Sequence, residues 1–226
     1  MAEQRVSNER KKELEQLDPF QEKMIKAMNF VNDYKKQFMM GIGAVVAVII
    51  VLSGVMYSIQ KSEDTAALTV SRALIEYGKI NDPVKGYDAV KDEFEKVFKE
   101  YSNTTAGKQA RVKFAKICYD ASQYEDSMAH YKDALDLFRD QASLKNFLLA
   151  ALGHVSIAMG DLTSAETYFK QIEKDDSALL KDEAGMALAL LYEKAGKSEQ
   201  SREMFKKIVS DYPDSIYLPL AKSKVQ

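Results

Sequence analysis

Three stretches of the chain repeat one spacing of large and small residues. FAKICYDASQYEDSMAHYKDAL begins at Phe114, LGHVSIAMGDLTSAETYFKQIE at Leu152 and LALLYEKAGKSEQSREMFKKIV at Leu188. Each opens on a large apolar residue followed by a small one: Phe114-Ala115, Leu152-Gly153, Leu188-Ala189. Eight residues after the opening stands Ser122, Gly160 or Gly196, a small residue placed to end one helix. Five further on is another small residue (Ser127, Ala165, Ser201), then after four an aromatic (Tyr131, Phe169, Phe205), then after three Ala134, Ile172 or Ile208. Small residues let two antiparallel helices touch backbone to backbone, and the large ones fill the gap to the next pair. A unit built this way cannot bury its outer face alone, so successive units must stack.

This spacing resembles the tetratricopeptide repeat in all three copies. The starts lie 38 and 36 residues apart, so the links between pairs are longer than in a regular array of about 34 residues per repeat. A degenerate fourth unit precedes them. FEKVFKEYSNTTAGKQA (94–110) matches FKKIVSDYPDSIYLPLA (205–221), with Phe94 over Phe205, Val97 over Ile208 and Tyr101 over Tyr212. Strand-like alternation is absent, and Ala/Leu/Lys/Glu-rich stretches with helical spacing dominate residues 61–226. The expected fold is all-α: one N-terminal transmembrane helix, then a solenoid of antiparallel helix pairs over 62–226. The pairs fall near 64–101, 108–140, 146–175 and 182–213, and a closing helix covers 214–226. The first pair is broken near NDPVKG.

The membrane segment is FMMGIGAVVAVIIVLSGVMYSI, 22 uncharged residues from Phe38 to Ile59. At 1.5 Å per residue its helix is about 33 Å long, against a hydrocarbon core of about 30 Å. A cleaved signal peptide has an apolar core of about 7–15 residues and a small-x-small cleavage site; this core is longer, and VMYSIQKSED offers no such site. The segment therefore reads as an anchor that stays, contacting the bilayer through residues 38–59. Within about 20 residues of the run, four Lys/Arg precede it and three follow. That bias places the N-terminus in the cytoplasm and the C-terminal domain outside, the reverse orientation being the alternative. Gly43-x-x-x-Ala47 offers a small-residue face for a second membrane helix or simply for lipid. Before the anchor, residues 19–37 set Phe20, Met24, Ala27, Met28 and Val31 near one helical face, with Lys23, Lys26, Lys35 and Lys36 at polar margins. The segment reads either as an amphipathic juxtamembrane helix, lying on the inner leaflet or packing on another membrane protein, or as a plain extension of the membrane helix. Residues 1–18 are highly charged and poor in apolar residues, and are expected to form a disordered tail.

Composition narrows the function. Residues 61–226 carry 24 Lys/Arg and 27 Asp/Glu with no concentrated basic stripe, which argues against nucleic acid as a partner. Cys118 is the one cysteine, so no intramolecular disulfide forms. His130 and His154 are the two histidines, in different repeats and without metal-ligand spacing around them. No Gly-rich phosphate loop occurs, and acidic pairs such as Asp175–Asp176 sit where helix boundaries explain them. The expectation is no enzyme, no catalytic residue, no metal and no cofactor.

Recognition has a more definite place. In the repeats that this chain resembles, the first helix of each pair lines a concave groove. That resemblance implies Gln109, Val112, Lys116, Tyr119 and Asp120 in the first repeat, then Phe147, Ala150, His154 and Ile157 in the second. In the third it implies Glu183, Met186, Leu190, Glu193 and Lys194. The middle of such a groove is apolar and its ends are charged, a surface for an exposed hydrophobic segment of a partner. Filling of part of it by the closing helix is the alternative. Repeats that clamp acidic chaperone tails use Lys and Asn where this chain has Val112, Lys116, Ala151, Glu183 and Ala187, so that clamp is not expected.

The layout also resembles one family. A short cytoplasmic N-terminus, one membrane helix and a periplasmic tetratricopeptide domain of this size are similar to YfgM-like proteins. YKKQFMMGIGAVVAVIIV, followed by SEDTAALTVSRAL, looks like their passage from anchor to first helix. The resemblance covers about residues 20–226 in architecture and patterning more than in identical motifs. It implies a non-catalytic protein of the bacterial inner membrane, ancillary to the SecYEG translocon and to a PpiD-like periplasmic chaperone, that meets exported clients. The competing readings are a scaffold for another envelope machine (outer-membrane assembly, secretion or division) and, from a different class, a membrane-bound enzyme.

Overall fold

The computed structural model describes residues 19–225. The charged tail expected over 1–18 and the last residue of the closing segment lie outside the described residues. Among the described residues there are ten helices and no strand. They are α1 (Pro19–Asp33), α2 (Lys35–Lys79), α3 (Pro83–Glu100), α4 (Thr105–Asp120), α5 (Tyr124–Leu137), α6 (Ala142–Ala158), α7 (Leu162–Lys174), α8 (Lys181–Lys194), α9 (Ser198–Asp211) and α10 (Leu218–Val225). The chain divides into two compact units, Met1–Ser58 and Ile59–Gln226.

In the first unit no residue of α1 is buried, and the uncharged residues of α2 up to Ser58 are all exposed. Among the described residues α2 is the one helix long and apolar enough to cross a membrane, with a mean hydropathy of 2.6 over its most apolar window.

The second unit is a stack of antiparallel helix pairs: α4 with α5, α6 with α7, and α8 with α9. The C-terminal part of α2 and α3 precede them, and α10 closes the stack. Its core is a series of clusters, each joining one pair to the next helix. Val70 and Ala73 of α2 meet Val90 and Phe94 of α3 and Phe114 of α4. Tyr131 and Ala134 of α5 meet Leu148 and Leu152 of α6. Phe169 and Ile172 of α7 meet Leu149 of α6 and Leu188 of α8. Phe205 and Ile208 of α9 meet Met186 of α8 and Ala221 of α10. Each fully buried side chain of this size contributes about 1.5–3 kcal/mol, and each cluster depends on its neighbours alone.

The repeated spacing has a geometric cause at both of its small positions. At the first, Ser122, Gly160 and Gly196 adopt left-handed backbone, with φ of 61°, 80° and 70°. At all three the next residue's N–H reaches back five positions: Gln123 to the Cys118 carbonyl at 2.8 Å, Asp161 to Ser156 and Lys197 to Tyr192 at 2.9 Å. This closure satisfies carbonyls that the helix end would otherwise orphan. At the second, Ser127, Ala165 and Ser201 are buried. The Ser127 hydroxyl donates across the pair to the Ala115 carbonyl at 2.8 Å, so the two backbones lie within one hydrogen bond.

Helix starts are fixed locally and, in one case, from a distance. Asp82 caps α3 by accepting from the Val84 and Lys85 N–H groups at 3.0 and 3.1 Å, with Pro83 in the first turn where its missing donor is harmless. Thr104 caps α4 through Gly107 N–H at 2.9 Å. The remaining free donors of that turn, Thr105 and Ala106, give to the two oxygens of Glu63 at 2.7 and 2.6 Å. A carboxylate there satisfies two orphan donors and meets the positive end of the helix dipole.

Two stability changes follow. A Cβ on Gly153 would lie 2.6 Å from the ring of Phe169, which is fully buried and cannot withdraw. Gly153→Ala is therefore expected to destabilise by about 1–3 kcal/mol through overpacking, read as a lower denaturant midpoint by far-UV circular dichroism; an unchanged midpoint refutes the close contact. Ser122 bears the left-handed strain that its two glycine counterparts avoid. Ser122→Gly should raise stability by about 0.5–1 kcal/mol once glycine's entropy cost is subtracted, whereas Gly196→Ala should lower it.

Candidate functional site

The first helices of the pairs present a groove of about 490 Å³. Phe147, Ala150, Ala151 and His154 of α6 line it, with Lys116 and Tyr119 of α4, Tyr131 of α5, and Leu180 and Glu183 at the start of α8. Helical spacing explains the α6 contribution, since 147, 150, 151 and 154 recur every three or four residues on one face. The opposite face of α6 carries Leu148, Leu152 and Val155 into the core. Phe147 remains 46% exposed, an aromatic ring open to a partner.

The charged groups of the groove are tied into pairs. At one end Lys116 binds Asp120 one turn along α4 and lies 5.9 Å from the centre of the Tyr119 ring. At the other, His154 Nε2 lies 3.0 Å from Glu183 Oε1 and bridges two successive repeats. The His154 ring stands edge-on to Phe169 at 5.3 Å, so the missing Cβ of Gly153 lets a core aromatic sit directly beneath a groove residue. A second groove, of about 310 Å³, lies between α2 and α4, where Ser71, Leu74 and Ile75 face Gln109 and Lys113.

The structure brings Lys116, Tyr119, Phe147 and His154 together, with Ala150 and Glu183. The other positions implied for the groove lie elsewhere. Met186 is not on an open surface: it is 5% exposed and packs with Phe205, Ile208 and Ala221, because α10 closes over it. Glu193 is held by Lys224 of α10 at 2.6 Å. Ile157 is partly buried against the cluster around Phe169 and Leu188. Leu190 stays 44% exposed and Lys194 is exposed at the end of α8, but neither lines the groove. Sequence reasoning missed Tyr131, Leu180 and the α2 residues. The last had a signal in the spacing of Ala67, Ser71 and Ile75; Leu180 had none, since its left-handed backbone (φ 63°) is not encoded by a glycine.

Among the described residues no three or more His, Cys, Asp or Glu are placed to hold a metal ion. Burial pushes the Cys118 thiol up to about 12, so the thiolate is negligible near neutrality.

A tetratricopeptide repeat family model matches residues 183–215, which cover most of α8, all of α9 and the turn that follows. No curated protein matches the chain. With the stacked pairs, that match makes the second unit a tetratricopeptide-type solenoid, an architecture that works as a protein-interaction module.

His130 carries a consequence for pH. Its ring packs against Phe98 and Phe114 at 5.0 and 5.1 Å, and its Nδ1 is buried without a hydrogen-bond partner. Burial lowers its pKa below the ordinary 6.5 and the nearby Arg111 cation adds to this, against opposing effects of Asp133, Asp126 and Glu95. Because the folded state disfavours the proton, this residue's contribution to stability is intact above the unfolded pKa and lost as pH falls below about 6.5. Denaturant midpoints measured from pH 7 down to pH 5 should fall more steeply in the wild type than in His130→Phe; parallel curves would exclude His130 as the source.

Proposed function

We propose that the chain is a membrane-anchored, non-catalytic adaptor whose solenoid captures exposed apolar segments of other proteins in the groove around Phe147. The observation that carries this reading is the half-exposed ring of Phe147, set over Ala150 and Ala151 in a groove between the Lys116–Asp120 and His154–Glu183 pairs. An apolar side chain entering such a groove gains about 1.5–3 kcal/mol, part of which is offset by ordering the partner. The paired charges at its ends orient a segment without demanding one sign of charge.

In this reading residues 38–59 anchor the chain in a bacterial inner membrane, with the N-terminus in the cytoplasm and the solenoid in the periplasm. The lysines before the apolar run support that orientation. The resemblance to YfgM-like proteins supports an ancillary place beside the SecYEG translocon and a PpiD-like chaperone, where exported chains emerge with apolar segments still uncovered. A second reading, a scaffold in another envelope machine, draws on the closing helix: by covering Met186 and pairing with Glu193 it leaves a shorter free groove than an extended client-holding surface would use.

Phe147→Glu should weaken partner capture at least about tenfold, the effect of losing roughly 1.4 kcal/mol of apolar contact, while leaving circular dichroism unchanged. Lys206→Glu and Lys132→Glu, at exposed positions on second helices, should do little. Capture is measured by photocrosslinking in intact cells from a probe at the exposed groove position 116 of each variant. Translocon subunits among the products support the first reading; crosslinks confined to another envelope complex support the second. Undiminished capture by folded Phe147→Glu overturns both.

A further inference from the structure

The solenoid groove leaves α1 without a role. At about 100° per residue, Met24, Ala27, Met28, Val31, Tyr34 and Phe38 fall within one stripe about 120° wide. The stripe continues from α1 into the start of α2 across Tyr34, the single residue between them. Tyr34 interrupts the helix assignment but keeps two bonds: its N–H donates to the Phe30 carbonyl at 3.0 Å, and its own carbonyl takes the Phe38 N–H at 2.9 Å. Phe30, Tyr34 and Phe38 form an aromatic cluster at the start of the apolar segment, the Phe30 ring lying 4.7 Å from that of Tyr34 and 6.4 Å from that of Phe38. Aromatic rings gather at this level of a bilayer, where one end of the side chain is apolar and the other wet.

Charge decides what covers the stripe. On the same helical projection Lys23 borders one edge of the stripe, and Lys35 lies just inside the other edge, between Val31 and Met28, its long stem free to carry the ammonium out to headgroup level. The acids Glu22 and Asp33 fall on the far face, and there Glu22 is already paired with Lys26 at 2.7 Å. A parallel second copy meeting this stripe would bring Lys23 and Lys35 of the two copies together with no acid beside them. A surface of negative headgroups meets those lysines with opposite charge while the stripe sinks among the acyl chains. We propose that α1 is a membrane-surface helix that lies on an anionic lipid face, apolar stripe inward and Lys23 and Lys35 at headgroup level. The assignment rests on residues 38–59 crossing that same bilayer.

The test uses the full chain with Cys118→Ala, reconstituted in vesicles of phosphatidylcholine with or without phosphatidylglycerol. Nitroxide labels on single cysteines at Met24 (stripe), Asn29 (far face) and Val48 (membrane segment) report accessibility to oxygen and to a water-soluble nickel chelate. With phosphatidylglycerol present, the oxygen-to-nickel ratio at Met24 should exceed that at Asn29 by about fivefold or more. Lys23→Glu with Lys35→Glu should abolish that contrast while Val48 stays lipid-exposed. Water access at both Met24 and Asn29, with Val48 in lipid, overturns the proposal and makes α1 a plain extension into water. Spin–spin broadening at Met24 that disappears on dilution with unlabelled protein also overturns it, because a second copy then covers the stripe. Equal contrast in pure phosphatidylcholine removes the anionic requirement and overturns it too. Water access at Val48 would refute the membrane span itself, and the proposal with it.

Discussion

The solenoid depends on one kind of contact, the approach of two helix backbones at a small residue. Ala115 faces Ser127 across a 2.8 Å hydrogen bond from the serine hydroxyl to the alanine carbonyl. Gly153 and Ala165, then Ala189 and Ser201, hold the corresponding buried positions in the next two pairs. Beside this contact, the aromatic one turn further along, Tyr131, Phe169 or Phe205, packs both on its own pair and on the helix that follows. Because these large residues also reach the following unit, the stack is held as a chain of neighbouring contacts. Polar links on its surface, such as Glu166 with Lys170 and Tyr192, or Glu173 with Lys207, follow the same neighbour-to-neighbour rule.

Much of this was legible in the sequence because it is periodic. The spacing of small and large residues marked the helix ends at Ser122, Gly160 and Gly196, and the left-handed backbone at all three is the physical reason small residues stand there. The resemblance to tetratricopeptide repeats implied Lys116, Tyr119, Phe147 and His154 as groove residues, and these four line one groove. What periodicity cannot show is which surface a non-repeating element will cover. Met186 has the spacing of a groove residue, yet α10 buries it, and the Lys224–Glu193 pair that accompanies this joins residues 31 apart. The same holds for Glu63, whose carboxylate completes the first turn of α4 from 42 and 43 positions away. Such contacts depend on how elements meet in space, and one sequence carries no local trace of them.

His154 shows how recognition and packing share residues here. Its imidazole touches Glu183 of the next repeat on the open side and the edge of Phe169 on the closed side. A change in the curvature between repeats must therefore alter the groove at its charged end. The floor around Phe147 belongs to a single helix, although Ala150 beneath it packs with Ala184 and Leu188 of the next repeat.

The closing helix has a consequence for assembly. A solenoid end is a half-finished interface: α8 and α9 offer Met186, Phe205 and Ile208 in the geometry that would accept the first helix of another unit. Left open, that face would be sticky toward the start of a neighbouring molecule, a head-to-tail contact that does not close on itself and so grows into filaments. The eight residues of α10 fill the vacancy with Ala221 and Val225, secured by Lys224 on Glu193 and by Arg202 on the Val225 carbonyl, and leave Lys222 and Pro219 outward. By occupying that face, the helix removes from solvent the surface through which α8 and α9 would otherwise meet another unit.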